Sequence, residues 1–237
     1  MIRFALLAAK GLPMTMTLYS GPLSMFGAKA EIAAREKAIP VDLVMVPFDM
    51  QRLYEPKHPE VARINPKRQV PVLVDGPVEI FDSTQIFEYL EHLRPEPPLW
   101  PEPPADRARA RLIEHLSDEV YFPSVIRLMS LQDRPHDPAA LAGREAAAAV
   151  CRRFEDMIDH HDYLAGAYSY ADIAFFMAQL FGERMGARLA DDTPRLMAWR
   201  RRMARRPAVR AVVGPMLGYL RGQGRPIPEP FQAIATD

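Results

Sequence analysis

Cysteine is almost absent. Cys151 is the only one in 237 residues, so no disulfide can form within the chain, and a reducing compartment such as the cytoplasm suits it. No C-x-x-C pair occurs, and neither His160-His161-Asp162 nor Glu114-His115 stands at zinc-type spacing with further ligands, so no metal is expected. An excess of either charge is also missing. Lys and Arg together number 30, as do Asp and Glu, which removes any general pull toward nucleic acid or an anionic membrane surface. No apolar run approaches the length of a membrane span, and Phe4 to Ala9 after Arg3 is a short apolar stretch at best. The segment before Met16 reads as an extension, or as an upstream start with Met14 or Met16 the true first residue. Gly21-Pro22-Leu23-Ser24 lacks the G-x-S-x-G elbow of a hydrolase, and Gly21 to Gly27 is not a Walker loop.

Proline, by contrast, is abundant, and its densest cluster divides the chain. Residues 95–104 hold six prolines (Pro95, Pro97, Pro98, Pro101, Pro103 and Pro104), a stiff, extended composition that reads as a linker. Before it, in residues 16–94, the order is strand (Met16 to Tyr19), helix (Met25 to Lys37), strand (Val41 to Val46), short helix, hairpin and helix. That is a β-α-β-α-β-β-α, thioredoxin-like plan. After it, residues 105–222 read as helix almost throughout: Ala105 to Leu131, Ala139 to His160, Tyr170 to Phe181, Thr193 to Ala204 and a last one from Ala208, with 223–237 a tail. An α/β domain followed by an all-α domain is therefore expected, with 49% hydrophobic residues to fill the cores.

The most informative stretch is Asn65-Pro66-Lys67-Arg68-Gln69-Val70-Pro71-Val72-Leu73. Proline cannot donate to a sheet ladder, so Val70-Pro71 marks the start of a strand. A cis bond there would turn the N–H and C=O of Val70 outward together, free to pair with another peptide. Asp75-Gly76-Pro77 between two apolar runs is a hairpin signal, and Ile86, Phe87, Leu90 and Leu93 follow at helical spacing. Asp82-Ser83 thus opens a helix, where free N–H groups and a hydroxyl attract a carboxylate and the Asp side chain holds an ammonium. Together they suit the α-amino acid end of a γ-glutamyl group.

This N-P-x-x-x-V-P-V-L run with its acidic-Ser pair resembles the glutathione-binding domain of the glutathione transferase superfamily, and the likeness extends from about Thr17 to about Val213. The resemblance implies the two-domain fold just described, with glutathione as co-substrate, and a cytoplasmic homodimer in a detoxification role. It also implies that Val70, before Pro71, pairs backbone to backbone with the cysteinyl unit. Asp82 stands where the family usually has Glu or Gln and reaches one methylene less. Arg68 and Lys57 are the candidate cations for the glycine carboxylate.

Chemistry turns on the corner Tyr19-Ser20-Gly21-Pro22-Leu23-Ser24-Met25-Phe26. Glutathione attacks as its thiolate, and a thiol of pKa ~8.5 is lowered by a helix N-terminus or a strong donor. Ser24 is placed to provide both. The length from Tyr19 to Ile39-Pro40 matches the theta-like members, and that register puts Ser24 on their catalytic serine. Tyr19, near the catalytic tyrosine of the alpha, mu and pi classes, and Ser20 are the alternatives. Omega-type reductases carry cysteine at the matching position, so mixed-disulfide chemistry is not expected here. Met25, Phe26, Tyr121, Phe122 and Ile126 are expected to line a pocket for a small apolar electrophile between the domains. The superfamily also includes lyases, dehalogenases, isomerases and non-catalytic interaction proteins similar to the transcription-associated starvation proteins of bacteria. Ser169-Tyr170-Ala171-Asp172 has the form of a capping box, opening a core helix with the stripe Ile173, Phe176, Met177, Leu180, Phe181. The arginines at 200–202, 205 and 206 read as a solvated face complementing a helix end.

Overall fold

Alternation makes the first strand: Met16, Leu18 and Ser20 are buried while Thr17 and Tyr19 are half-buried on the opposite face, the period-2 signature of a sheet covered unequally on its two sides. The computed structural model describes residues 16–235; the expected N-terminal extension lies outside the described residues. Strand β1 (Met16–Ser20) runs parallel to β2 (Val41–Met45), with α1 (Met25–Glu36) as the crossover. After α2 (Pro59–Ile64), strands β3 (Val72–Asp75) and β4 (Val78–Phe81) form a hairpin whose turn is relieved by Gly76 at φ 56. The sheet order is β2-β1-β3-β4, with β3 antiparallel to both neighbours, and α3 (Ser83–Leu93) completes the thioredoxin-like unit.

The second half is helical: α4 (Pro104–Leu116), α5 (Phe122–Ile126), α6 (Pro138–Ile158), α7 (Tyr170–Arg184), α8 (Pro194–Met203) and α9 (Pro207–Gly222). The single helix expected over Ala105–Leu131 is interrupted. Ser117–Tyr121 winds as a π turn, and Arg127–Leu131 tightens into a 3-10 turn. Pro123 accounts for the break, since it has no N–H to bond four residues back and its ring crowds that carbonyl.

Helix α7 is the centre of the core, and Asp172 fixes its start. This fully buried carboxylate accepts from the backbone N–H of Leu164 (2.9 Å) and Ser169 (2.9 Å), the Ser169 hydroxyl (3.1 Å) and the Trp199 indole (2.9 Å). Helix α1 packs against α7 and α9, joining the two halves. Across that seam Lys29, 1% exposed, faces Glu114 at 3.3 Å and pairs with Asp118, while the Thr84 hydroxyl donates to Glu114.

Two expectations need correction. The proline segment is a strap tied to both halves. Buried Lys37 donates to the carbonyls of Pro95 (3.0 Å) and Pro97 (2.7 Å) and pairs with Glu91. Glu91 accepts from Leu99 N–H and Trp100 N–H, Tyr170 N–H donates to Leu99 C=O (2.8 Å), and both Leu99 and Trp100 are buried. The arginine run is not uniformly solvated either: Arg200 is buried against Glu183 at 2.5 Å, and Arg206 spans to Glu36 of α1 at 2.9 Å with its guanidinium over Tyr168. The periodicity that buries Leu196, Trp199 and Met203 carries Arg200 inward with them. The tail also docks in part, since Glu229–Ile234 forms a 3-10 turn that buries Phe231 beside Phe176.

Candidate functional site

A cleft of about 830 Å³ opens where the β1–α1 corner faces α5, the end of α7 and the segment after α9. Ser24 lies on its wall as the N-cap of α1, in extended backbone (φ −80, ψ 109), where its Oγ accepts from Gly27 N–H at 3.0 Å. Among the described residues nothing takes the Ser24 hydroxyl hydrogen. That hydrogen is free to be given to an acceptor from outside, beside the positive end of α1. Ser20, 1% exposed, sits beneath Gly27, where an added Cβ would come within 2.0 Å of its Oγ. Tyr19 packs its ring on His58 at 5.1 Å and belongs to the small core of Val46, Val61 and Val72. Neither lines the cleft.

Val70, Arg68 and Lys57 do line it. Val70-Pro71 is a cis bond, and Pro71 is buried behind it. Arg68 is exposed at φ 54 with no side-chain partner among the described residues, and Lys57 pairs with Glu55 at 3.2 Å. Asp82 and Ser83 open α3 outside the cleft lining. One oxygen of the Asp82 carboxylate caps α3: Oδ1 accepts from Thr84 N–H (3.0 Å) and Gln85 N–H (3.3 Å), from a backbone held at φ 76. Ser83 is buried, its carbonyl accepting from the Tyr170 hydroxyl at 2.9 Å.

Of the residues expected for the apolar pocket, Met25, Phe26, Phe122 and Ile126 stand together in the cleft. Phe26 meets Phe122 ring to ring at 4.8 Å, and Phe122 meets Phe181 at 5.1 Å. Tyr121 does not join them. It is fully buried against α7, its hydroxyl fitted over Gly182 without a hydrogen-bond partner. The π turn that ends at Tyr121 sets this ring against α7, while Phe122, one residue on, faces the cleft.

Four further lining residues were not among those expected from the sequence. Tyr54 and His58 come from the loop after β2, where Asp49 caps the N–H groups of Gln51 and Arg52 and turns Tyr54 back under Gly21. The Tyr54 hydroxyl and His58 Nδ1 are buried without partners, and burial pushes the Tyr54 phenol up. Arg184 and Arg225 lie at the other end of the cleft. Arg184 had a signal, since it continues the α7 stripe three residues beyond Phe181. Cys151 is apart from all this, buried in α6, where burial pushes its thiol up to about 12. Among the described residues no group of three or more His, Cys, Asp or Glu is placed to hold a metal, and no helix is long and apolar enough to cross a membrane.

Two family models match the chain: glutathione S-transferase N-terminal domain over residues 18–98 and glutathione S-transferase C-terminal domain over 119–207. The chain belongs to the glutathione S-transferase superfamily. A glutathione S-transferase from Rhodospirillum rubrum F11 shares its architecture, with a TM-score of 0.71 at 27% identity over 84% of this chain and 91% of that one. Among curated superfamily members, FtsZ-localized protein A of Caulobacter vibrioides is 31% identical over 172 residues, 67% of this chain and 73% of its own. A stringent starvation protein A homolog of Coxiella burnetii is 35% identical over 112 residues, 46% of this chain. The match spans only half of that relative's length, at 50%. The superfamily thus carries both transferases and proteins named for other roles.

Proposed function

We propose that this superfamily member is a glutathione transferase in which Ser24 stabilises the glutathione thiolate for attack on a small electrophile. The observation that carries the reading is the free hydroxyl hydrogen of Ser24, at the N-terminus of α1, on the wall of a cleft that Val70 also lines. Backbone pairing at Val70 would bring the cysteinyl sulfur to that hydroxyl, with the glycine carboxylate near Lys57 or Arg68 and the γ-glutamyl carboxylate at Ser83. The thiol gives its proton to solvent, and the sulfur then bonds to carbon as the leaving group, chloride for a chloroarene, departs with the bonding electrons. The dipole and the hydroxyl both favour the anion, so no general base is required. Homodimerisation and a cytoplasmic location belong to the same proposal.

Titration with glutathione near neutral pH, followed by ultraviolet difference spectroscopy, tests it. The wild type should develop a thiolate band that Ser24→Ala lacks, at a stability loss of about 1 kcal/mol for the missing cap. Binding without a band in the wild type would sink the role given to Ser24.

A second reading has its own support. Asp82 is one methylene shorter than the usual Glu and has one carboxylate oxygen occupied in capping α3, which shortens its reach to the γ-glutamyl ammonium. Together with the names of two relatives, this favours an interaction protein with an idle cleft. A folded chain that binds no glutathione would be the decisive observation for it.

A further inference from the structure

Two positive charges at the far end of the cleft have no counter-ion among the described residues. Arg184, on the last turn of α7, is half-buried with its guanidinium 5.7 Å from the centre of the Phe181 ring. Arg225, beyond α9, is close enough for the two charges to repel. Neither makes an ion pair or side-chain hydrogen bond among the described residues. The enclosed cations elsewhere differ in this respect: Lys29 faces Glu114 and Asp118, Lys37 faces Glu91, Arg200 faces Glu183 and Arg206 faces Glu36. Not one Asp or Glu lines the cleft.

A helix C-terminus favours a cation only weakly and only in its last turn, which gives no reason for a second arginine to be brought beside the first. Placing a partly buried guanidinium next to another without an anion is unfavourable, and burial together with Arg225 holds the Arg184 pKa below its ordinary value. Two guanidinium groups therefore line one cleft with no acceptor supplied by the described residues. The rings of Phe26, Phe122 and Phe181 lead there from the Ser24 corner, ending under Arg184.

We infer that this end of the cleft is an anion subsite, in which Arg184 and Arg225 take the carboxylate of an aromatic or aliphatic acid whose apolar body lies along Phe26, Phe122 and Phe181. The inference deepens the transferase reading by making the electrophile an acid, and rests on it for the word electrophile alone. The length of the aromatic file separates this carboxylate from the sulfur, so the reactive carbon sits at the Ser24 end of the same ligand.

Calorimetric titration of the full chain without glutathione, using 3-nitrobenzoate and neutral 3-nitrobenzamide, isolates the subsite from the chemistry. The wild type should prefer the benzoate by about 10-fold or more, the scale of a charge-assisted hydrogen bond. Arg184→Met should abolish that preference and Arg225→Met should reduce it several-fold. Arg225 is exposed, so its variant decides the matter if Arg184→Met does not fold. Equal affinity for the two ligands, no binding of either, or a preference that survives in the variants that fold overturns the inference. The thiolate titration is read independently: a missing band with the benzoate preference intact removes the transferase reading and leaves the subsite, and the converse removes the subsite alone.

Discussion

Substituting Asp172 strands donors at the centre of the helical half. In Asp172→Ala the N–H groups of Leu164 and Ser169 and the Trp199 indole N–H, each now 2.9 Å from the carboxylate, lose their acceptor. The Ser169 hydroxyl can rotate elsewhere, but these three cannot. Leaving a buried donor unpaired costs about 1–3 kcal/mol. With water admitted to part of the vacated space, the total is about 3–5 kcal/mol, among the largest effects of a single substitution. For a chain of this size that lowers the melting temperature by roughly 10 °C. Asp172→Asn keeps an oxygen for Leu164 and Trp199 but turns an amide toward Ser169 N–H, so it should lose about 1–3 kcal/mol. Burial, against the hydrogen bonds, pushes the Asp172 carboxyl up to about 6 from 3.8. Below that window the group is protonated in both folded and unfolded chains. Within it only the unfolded chain releases the proton, so wild-type stability falls as pH rises toward 6. The advantage of wild type over Asp172→Asn should therefore shrink from pH 4 to pH 6, measured by urea unfolding monitored by circular dichroism. A melting temperature for Asp172→Ala within about 2 °C of wild type would refute the reasoning.

Lys29→Met leaves Glu114 and Asp118, neighbours on the far side of the seam from α1, without their counter-ion, and should cost about 3–5 kcal/mol. Burial raises the Asp118 carboxyl to about 6 even with Lys29 opposing; the loss should thus be larger at pH 8 than at pH 5, and equal losses would contradict the charge argument. At Asp82, Ala and Gly both remove the cap of α3, but only Gly relaxes the backbone held at φ 76, which costs an L-residue about 1–2 kcal/mol. Asp82→Gly should therefore unfold at higher urea than Asp82→Ala by about 1 kcal/mol, and the reverse order would show that the backbone there is unstrained.

The fold was largely legible because its signals are local. Gly76 for a hairpin, Ser24 before α1, Ser169 with Asp172 before α7 and the stripe from Ile173 to Phe181 each act within a few residues of themselves. The site was legible where the backbone positions it, at Ser24 and Val70. It was not legible where a loop or a helix end does so: Tyr54 reaches the β1–α1 corner only because Asp49 curls its loop, and no periodicity encodes that. Tyr121 was misplaced for the opposite reason, since a π turn and Pro123 rotate the helix there, so spacing counted from α4 no longer gives the inward face. Nor does the charge pattern of the arginine run distinguish Arg200, which the Trp199 face carries into the core, from its solvated neighbours.

The ties along the proline strap set the gauge of the cleft. With Lys37 holding two carbonyls of the strap, Glu91 gripping its far end and Tyr170 bonded to Leu99, the corner bearing Ser24 and the helices bearing Phe122 and Arg184 are clamped as two arms of a fixed calliper. Widening the gap for a longer ligand would require those ties along the strap to break.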